Sequence, residues 1–189
     1  SFLKRDHSTM TTLFKRCSAL LLISAMALLQ ACSTPQIDDY AKEKPVLELD
    51  KYFNGTLDAY GVFTDRSGQV VKRFTVVMDC TWNGNSGVLD EAFTYSDGTK
   101  QRRVWRLTRH EDGRFTGTAD DVVGIANGQQ RGNAFYWTYT LALPVDGNII
   151  NVQFDDWMYL MNDKMMLNKA SMSKWGVGLG EVTLSFVKR

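Results

Sequence analysis

Seven short turn motifs punctuate the chain: Asp65-Arg66-Ser67-Gly68, Asn83-Gly84, Asp97-Gly98, Asp112-Gly113, Asn127-Gly128, Asp146-Gly147 and Asn162-Asp163. Asp-Gly and Asn-Gly supply the positive φ angles that tight hairpin turns need. Successive motifs lie mostly about 13 to 19 residues apart, room for one strand and its turn. The segments between them alternate. In Phe135-Tyr-Trp137-Thr-Tyr139-Thr-Leu141-Ala-Leu143 every odd position is large and the even positions are mostly small or hydroxylated. Phe74, Val76 and Met78 share a parity, as do Ile150, Val152, Phe154 and Met158, and again Val182, Leu184 and Phe186. Period two is the strand pattern, and no window carries a helical stripe.

Consecutive tight turns imply consecutive antiparallel hairpins. An open sheet of about eight to ten strands would leave unpaired edges. The expected fold is therefore all-β, an antiparallel up-and-down β-barrel of lipocalin-like form, with a two-sheet β-sandwich as the alternative. A barrel of eight or more strands has an interior able to hold one small ligand.

The N-terminal segment reads as an address. Lys15 and Arg16 precede a short apolar run from Ser18 to Leu29, with small Ala31 at the processing point, as in a secretory signal peptide. The run is about 12 residues, short of the ~20 that span a bilayer. Leu29-x-Ala31-Cys32 resembles a bacterial lipobox, which implies lipidation of Cys32 after removal of residues 1–31, with Met10 as the expected start. Several acyl chains on one cysteine anchor a protein stably, each buried methylene contributing roughly 0.8 kcal/mol. Ser33, in place of an aspartate, favours the outer membrane of a Gram-negative envelope with the domain facing the periplasm. Residues 32–50, with Pro35, Pro45 and few large apolar groups, read as the lipidated cysteine and a flexible tether. Residues 51–189 are the expected barrel.

Charge narrows the partners. The segment 1–31 holds four of the 22 basic and one of the 21 acidic residues, leaving 18 basic and 20 acidic side chains. A net charge of −2 offers no basic field for nucleic acid. The expected contacts are a membrane, through the anchor, and a lipid or other apolar small molecule, with no protein partner identified.

Catalytic and metal chemistry find little material. Only His7 and His110 are present, so no Ser-His-Asp triad or multi-histidine metal site can form. Cys80 is the one cysteine left beside a lipidated Cys32, and a lone cysteine is usually a small buried hydrophobe. No catalytic residue, metal or cofactor is expected. An enzyme acting on lipid, through Asp156 and a neighbouring arginine, is the minor reading. Acidic pairs at Asp90-Glu91, Asp120-Asp121 and Asp155-Asp156 can each turn one carboxylate inward, or pair with Arg102, Arg103 and Arg106. The glycines of Gly124-x-x-x-Gly128 and of Trp175–Gly180 suit bulges or close backbone approach, since neither stretch has the lysine and helix of a phosphate loop.

What remains is aromatic and sulfur-rich: Trp82, Trp105, Trp137, Trp157 and Trp175, with Met158, Met161, Met165, Met166 and Met172. Such side chains suit an adaptable apolar pocket. Phe135, Trp137, Phe154 and Met158 are the candidate wall, and Arg103 or Arg106 the candidate anchor for a carboxylate or phosphate. The alternative is a filled barrel serving as an envelope scaffold.

Asp65-Arg66-x-Gly68, Tyr95-x-Asp97-Gly98, Arg103-x-Trp105, Asp121-Val-Val-Gly124, Phe154-Asp-Asp156-Trp157-Met158 and Gly180-Glu-Val resemble the domain-of-unknown-function 3833 family of bacterial lipoproteins. The resemblance runs from about Tyr52 to Val187, its most specific part being Asp-Asp-Trp-Met followed by Asn168-Lys-Ala and Lys174-x-Gly176. It implies a lipoprotein barrel but brings no activity and no catalytic residues.

Overall fold

The computed structural model describes residues 34–145 and 147–189. The expected signal segment 1–31, Met10 and Cys32 lie outside the described residues. Among those described, a 3₁₀ turn (Ile37–Tyr40) and a one-turn α-helix (Leu49–Tyr52) lead into ten strands. These are β1 (Gly55–Asp65), β2 (Val70–Asn83), β3 (Ser86–Tyr95), β4 (Lys100–Arg109), β5 (Arg114–Thr118), β6 (Ala126–Arg131), β7 (Ala134–Val145), β8 (Asn148–Leu160), β9 (Met165–Lys174) and β10 (Val177–Lys188). Each strand pairs antiparallel with the next, and β10 closes on β1 from Leu57↔Lys188 to Asp65↔Gly180. The up-and-down barrel is thus realised and the sandwich is not.

The turns explain how the strands are placed. Asp65 accepts backbone N–H bonds from Ser67 (2.8 Å) and Gln69 (3.1 Å), and Asp97 accepts one from Thr99 (3.0 Å). The side chain thus closes each turn before the strands pair. Asn127-Gly128 behaves differently from its expectation: it lies inside β6, and no turn forms there. Gly128 is small because a Cβ would overlap the Trp137 and Phe135 rings that cross it from β7. The turn actually used is Gly132-Asn133, and the last hairpin turns at Trp175-Gly176, with positive φ at Gly132, Trp175 and Gly176.

From Gln36 onward the residues before the barrel are packed, unlike the flexible tether expected over 32–50. Gln36–Arg189 forms one compact unit, and Leu47 and Leu49 are core residues, each 1% exposed. The physical reason is that their apolar side chains join the core cluster at one barrel end. Leu47 N–H donates to Gly132 O (2.7 Å), Leu49 N–H to Gln130 (3.1 Å), and Tyr52 Oη to Phe186 O (3.0 Å). Trp82 Nε1 donates to Phe53 O (2.9 Å), and Asp50 pairs with Arg109 at 2.8 Å. Residues 47–53 therefore cap the barrel end formed by the β2–β3, β4–β5, β6–β7 and β8–β9 turns. The opposite end, rimmed by the β1–β2, β3–β4, β7–β8 and β9–β10 turns, has no such cap among the described residues.

Packing is graded along the barrel axis. Near the cap Leu49, Phe53, Met78, Phe115 and Phe135 are at most 3% exposed, and Phe115 meets Phe135 edge-on at 5.6 Å. Towards the open end the inward side chains Phe63, Phe74, Phe93, Leu143, Val182 and Leu184 are only half-buried. The interior is tightly packed near the cap and opens into a cup towards the other end.

Candidate functional site

The cup is a cavity of about 720 Å³, within the range of small-molecule sites. Strand parity decides what faces it. Along β4, Arg103, Trp105 and Leu107 point inward; along β7, Phe135, Trp137, Tyr139, Leu141 and Leu143; along β8, Phe154, Asp156 and Met158. Five of the six expected ligand-contacting residues, namely Phe135, Trp137, Phe154, Met158 and Arg103, therefore share one interior.

Arg106 does not join them. It stands three positions from Arg103 on the same strand, so the pleat turns it to the exposed outer face. The pooled tryptophans and methionines also divide. Trp105, Trp137, Met158 and Met172 line the cavity, whereas Trp157 packs outside against Tyr136 (4.4 Å) and Tyr40 (5.6 Å). Trp175 is 90% exposed at a hairpin tip, and Met161 and Met165 are exposed.

A polar belt crosses the cavity at mid-height. Arg103 Nε lies 3.0 Å from both Asp121 carboxylate oxygens and Nη2 lies 2.7 Å from Oδ2, a two-toothed pair. Its Nη1 is 3.9 Å from Glu91, and its guanidinium sits over the Phe93 ring at 5.4 Å. Burial works against the Arg103 charge, but the Asp121 hydrogen bonds and the Glu91 charge outweigh it and raise the guanidinium above its ordinary value. Across the belt, Asp156, only 6% exposed, accepts from Tyr139 Oη (3.1 Å) and from the Asn168 amide. Asn168 also donates to Trp157 O (3.1 Å).

Burial dominates Glu91 and Asp156. It pushes Glu91 up to about 7, although Arg103 pulls the other way. It pushes Asp156 up to about 7 as well, against the hydrogen bonds of Asn168 and Tyr139. Tyr139 is raised well above its ordinary value by burial and by the Asp156 charge beside it. Each acidic pair singled out in the sequence does turn one member inward or onto Arg103. Asp90 instead binds Arg102 outside (2.7 Å), and Asp155 accepts from Tyr136 Oη (2.6 Å).

Glu91, Tyr139, Asp156 and Asn168 were not among the expected contact residues. Parity carries them: Glu91 lies between Leu89 and Phe93, Asp156 between Phe154 and Met158, and Asn168 between Met166 and Ala170.

Cys80 is buried and free, and burial pushes its thiol up to about 12, so it stays a protonated hydrophobe. Among the described residues no group of three His, Cys, Asp or Glu side chains is placed to hold a metal ion.

Several solved structures are similar to this chain. An S-type phycobiliprotein lyase from Guillardia theta is similar at TM-score 0.55 and 10% identity, over 82% of this chain and 98% of that one. At that identity the likeness shows a common fold alone. A designed fluorescence-activating β-barrel matches at TM-score 0.41 and 11% identity over 76% and 99% of the two chains. A protein of unknown function from the DUF3598 family of Nostoc punctiforme matches at TM-score 0.49 and 9% identity over 84% and 53%. Among curated proteins no match to the chain was found. A family model described as a protein of unknown function matches residues 26–188, nearly all of the sequence, and the chain belongs to that family, DUF3833.

Proposed function

We propose that this chain binds a small apolar molecule inside its barrel. The supporting observation is the interior itself: a cavity of about 720 Å³ runs from the cap residues Leu49 and Phe53 to the rim, and its wall loosens to half-buried Phe63, Phe74, Phe93 and Leu184 towards the open end. A scaffold that used only its outer face has no need of an unfilled interior, because vacant apolar volume forgoes dispersion contacts. A ligand would gain about 2.5 kcal/mol for each 100 Å² of apolar surface it buries. The polar belt then fixes which end of the ligand enters first.

The reading includes the address. Lipidation of Cys32 anchors the domain to the outer membrane, and the cup acts on the periplasmic side. A Cys32→Ser variant is expected to leave the membrane fraction; retention there would remove this part.

Native mass spectrometry of residues 33–189, exported to the periplasm, tests binding. That segment contains the whole compact unit Gln36–Arg189. A stoichiometric adduct recurring between preparations, identified by lipid extraction of the same sample, is the expected result. A bare mass that persists after incubation with envelope lipids would favour the scaffold.

A further inference from the structure

The belt is more acidic than basic, and its one cation is already occupied. Two oxygens of Asp121 hold Arg103, and the Phe93 ring covers its face. An anionic head entering the cup would have to displace a two-toothed, largely buried ion pair. Glu91 and Asp156 stand in the cavity wall with Arg103 as the only cation among them. Glu91 has that guanidinium only at 3.9 Å, and the partners of Asp156 are the uncharged Tyr139 and Asn168.

Aromatic rings complete the surround. Tyr139 stacks on Phe154 at 5.0 Å and meets Trp105 edge-on at 5.3 Å, and Trp105 meets Trp137 at 5.7 Å. Carboxylates among aromatic faces are the surround that holds ammonium groups, through ion pairing and the negative ring faces. Above the belt the wall is mostly apolar, with Tyr95 and Gln101 bonded to each other in it, up to the rim, where Thr99, Lys72 and Lys100 stand.

We infer that the cup takes an amphiphile with a cationic ammonium head on an aliphatic chain, the head seated between Glu91 and Asp156 and the chain directed to the mouth. The inference rests on the binding reading above and gives its ligand a chemical class. It also reverses the expected role of Arg103: the arginine positions Asp121 and moderates Glu91, and it does not receive an anionic head.

The other ionisable groups around the two carboxylates are Arg103 on β4, Asp121 beyond β5, Tyr139 on β7, Tyr95 and Asp90 on β3, and Cys80 on β2. With both carboxylates raised to about 7, cation binding weakens as pH falls from 8 to 5 while a neutral head is unaffected.

The test uses residues 33–189 and three twelve-carbon probes below their micelle-forming concentrations: dodecyltrimethylammonium, dodecanoate and dodecanol. Quenching of Trp105 and Trp137 fluorescence reports binding. At pH 8 the ammonium probe should bind at least about tenfold more tightly than the carboxylate. Glu91→Gln alone should narrow the gap, and Glu91→Gln with Asp156→Asn should bring it within about twofold, while dodecanol affinity, which also confirms folding, holds in both. Dodecanoate binding as tightly as the ammonium probe, or a preference that survives the double variant, overturns the inference and leaves binding intact. Failure of all three probes overturns the binding reading as well.

Discussion

Replacing Asp156 with asparagine should change the pH dependence of stability, not only its level. The carboxyl is 6% exposed, and burial lifts it from 3.8 to about 7 in the folded protein. A folded-state value above the unfolded one means that the native state binds the proton more tightly. This group therefore favours folding most below about pH 4, and its contribution is lost as pH rises towards 7. At about 1.4 kcal/mol per pH unit, the wild-type chain loses up to about 4 kcal/mol from this one residue across that window. Asparagine keeps the shape and one acceptor but does not titrate. Exchanging one hydrogen-bond partner shifts the variant by on the order of 1 kcal/mol at every pH, which moves the curve without tilting it. Urea unfolding followed by circular dichroism, from pH 4 to pH 8, should show the Asp156→Asn variant gaining on wild type by roughly 2 to 4 kcal/mol. Parallel curves, within about 0.5 kcal/mol throughout, would refute the burial of an ionising carboxyl in the polar belt.

Further outcomes follow from packing. Gly128→Ala forces a methyl into the rings of Trp137 and Phe135 and should cost about 1 to 3 kcal/mol in equilibrium unfolding, whereas Gly178→Ala, with open space around it and no positive φ, should cost far less. Leu49→Ala should cost about 2 to 5 kcal/mol and speed amide exchange in residues 47–53, because the cap loses one of its most buried plugs. Cys80 should resist a thiol reagent in the folded protein at pH 8 and react on unfolding; rapid native labelling would contradict its burial. Trp137→Ala is a poor probe of the pocket alone: it should destabilise by about 3 to 5 kcal/mol, since the ring is 4% exposed and packed on two glycines.

The barrel was legible because its information is local. Alternation along β7 and aspartate-closed turns at Asp65 and Asp97 each act within a few residues. What failed depended on contacts far apart in sequence. Asn127-Gly128 has the composition of a turn, but the glycine serves a ring from the neighbouring strand. Leu47 and Leu49 sit among prolines and charges, and only the barrel end that they cap makes them core.

The site was half legible. Reading Trp105 and Leu107 as inward already places Arg103 with them and Arg106 outside, so parity alone separates the two arginines. Parity also brings Glu91 and Asp156 inside. Pairing of the acidic residues with Arg102, Arg103 and Arg106 was among the expectations, but which carboxylate takes Arg103 was not legible, because Asp121 comes from the irregular segment between β5 and β6.

The central claim is that the upper barrel holds a ligand, and filling it tests that most directly. Val182→Trp and Leu184→Trp place bulk where the wall is half-buried, above the packed core. Titration of residues 33–189 with a neutral apolar fluorophore, Nile red, should give one saturable site that both variants abolish while their unfolding midpoints stay near wild type. Undiminished binding in folded variants would place the dye on the outer surface and contradict the account.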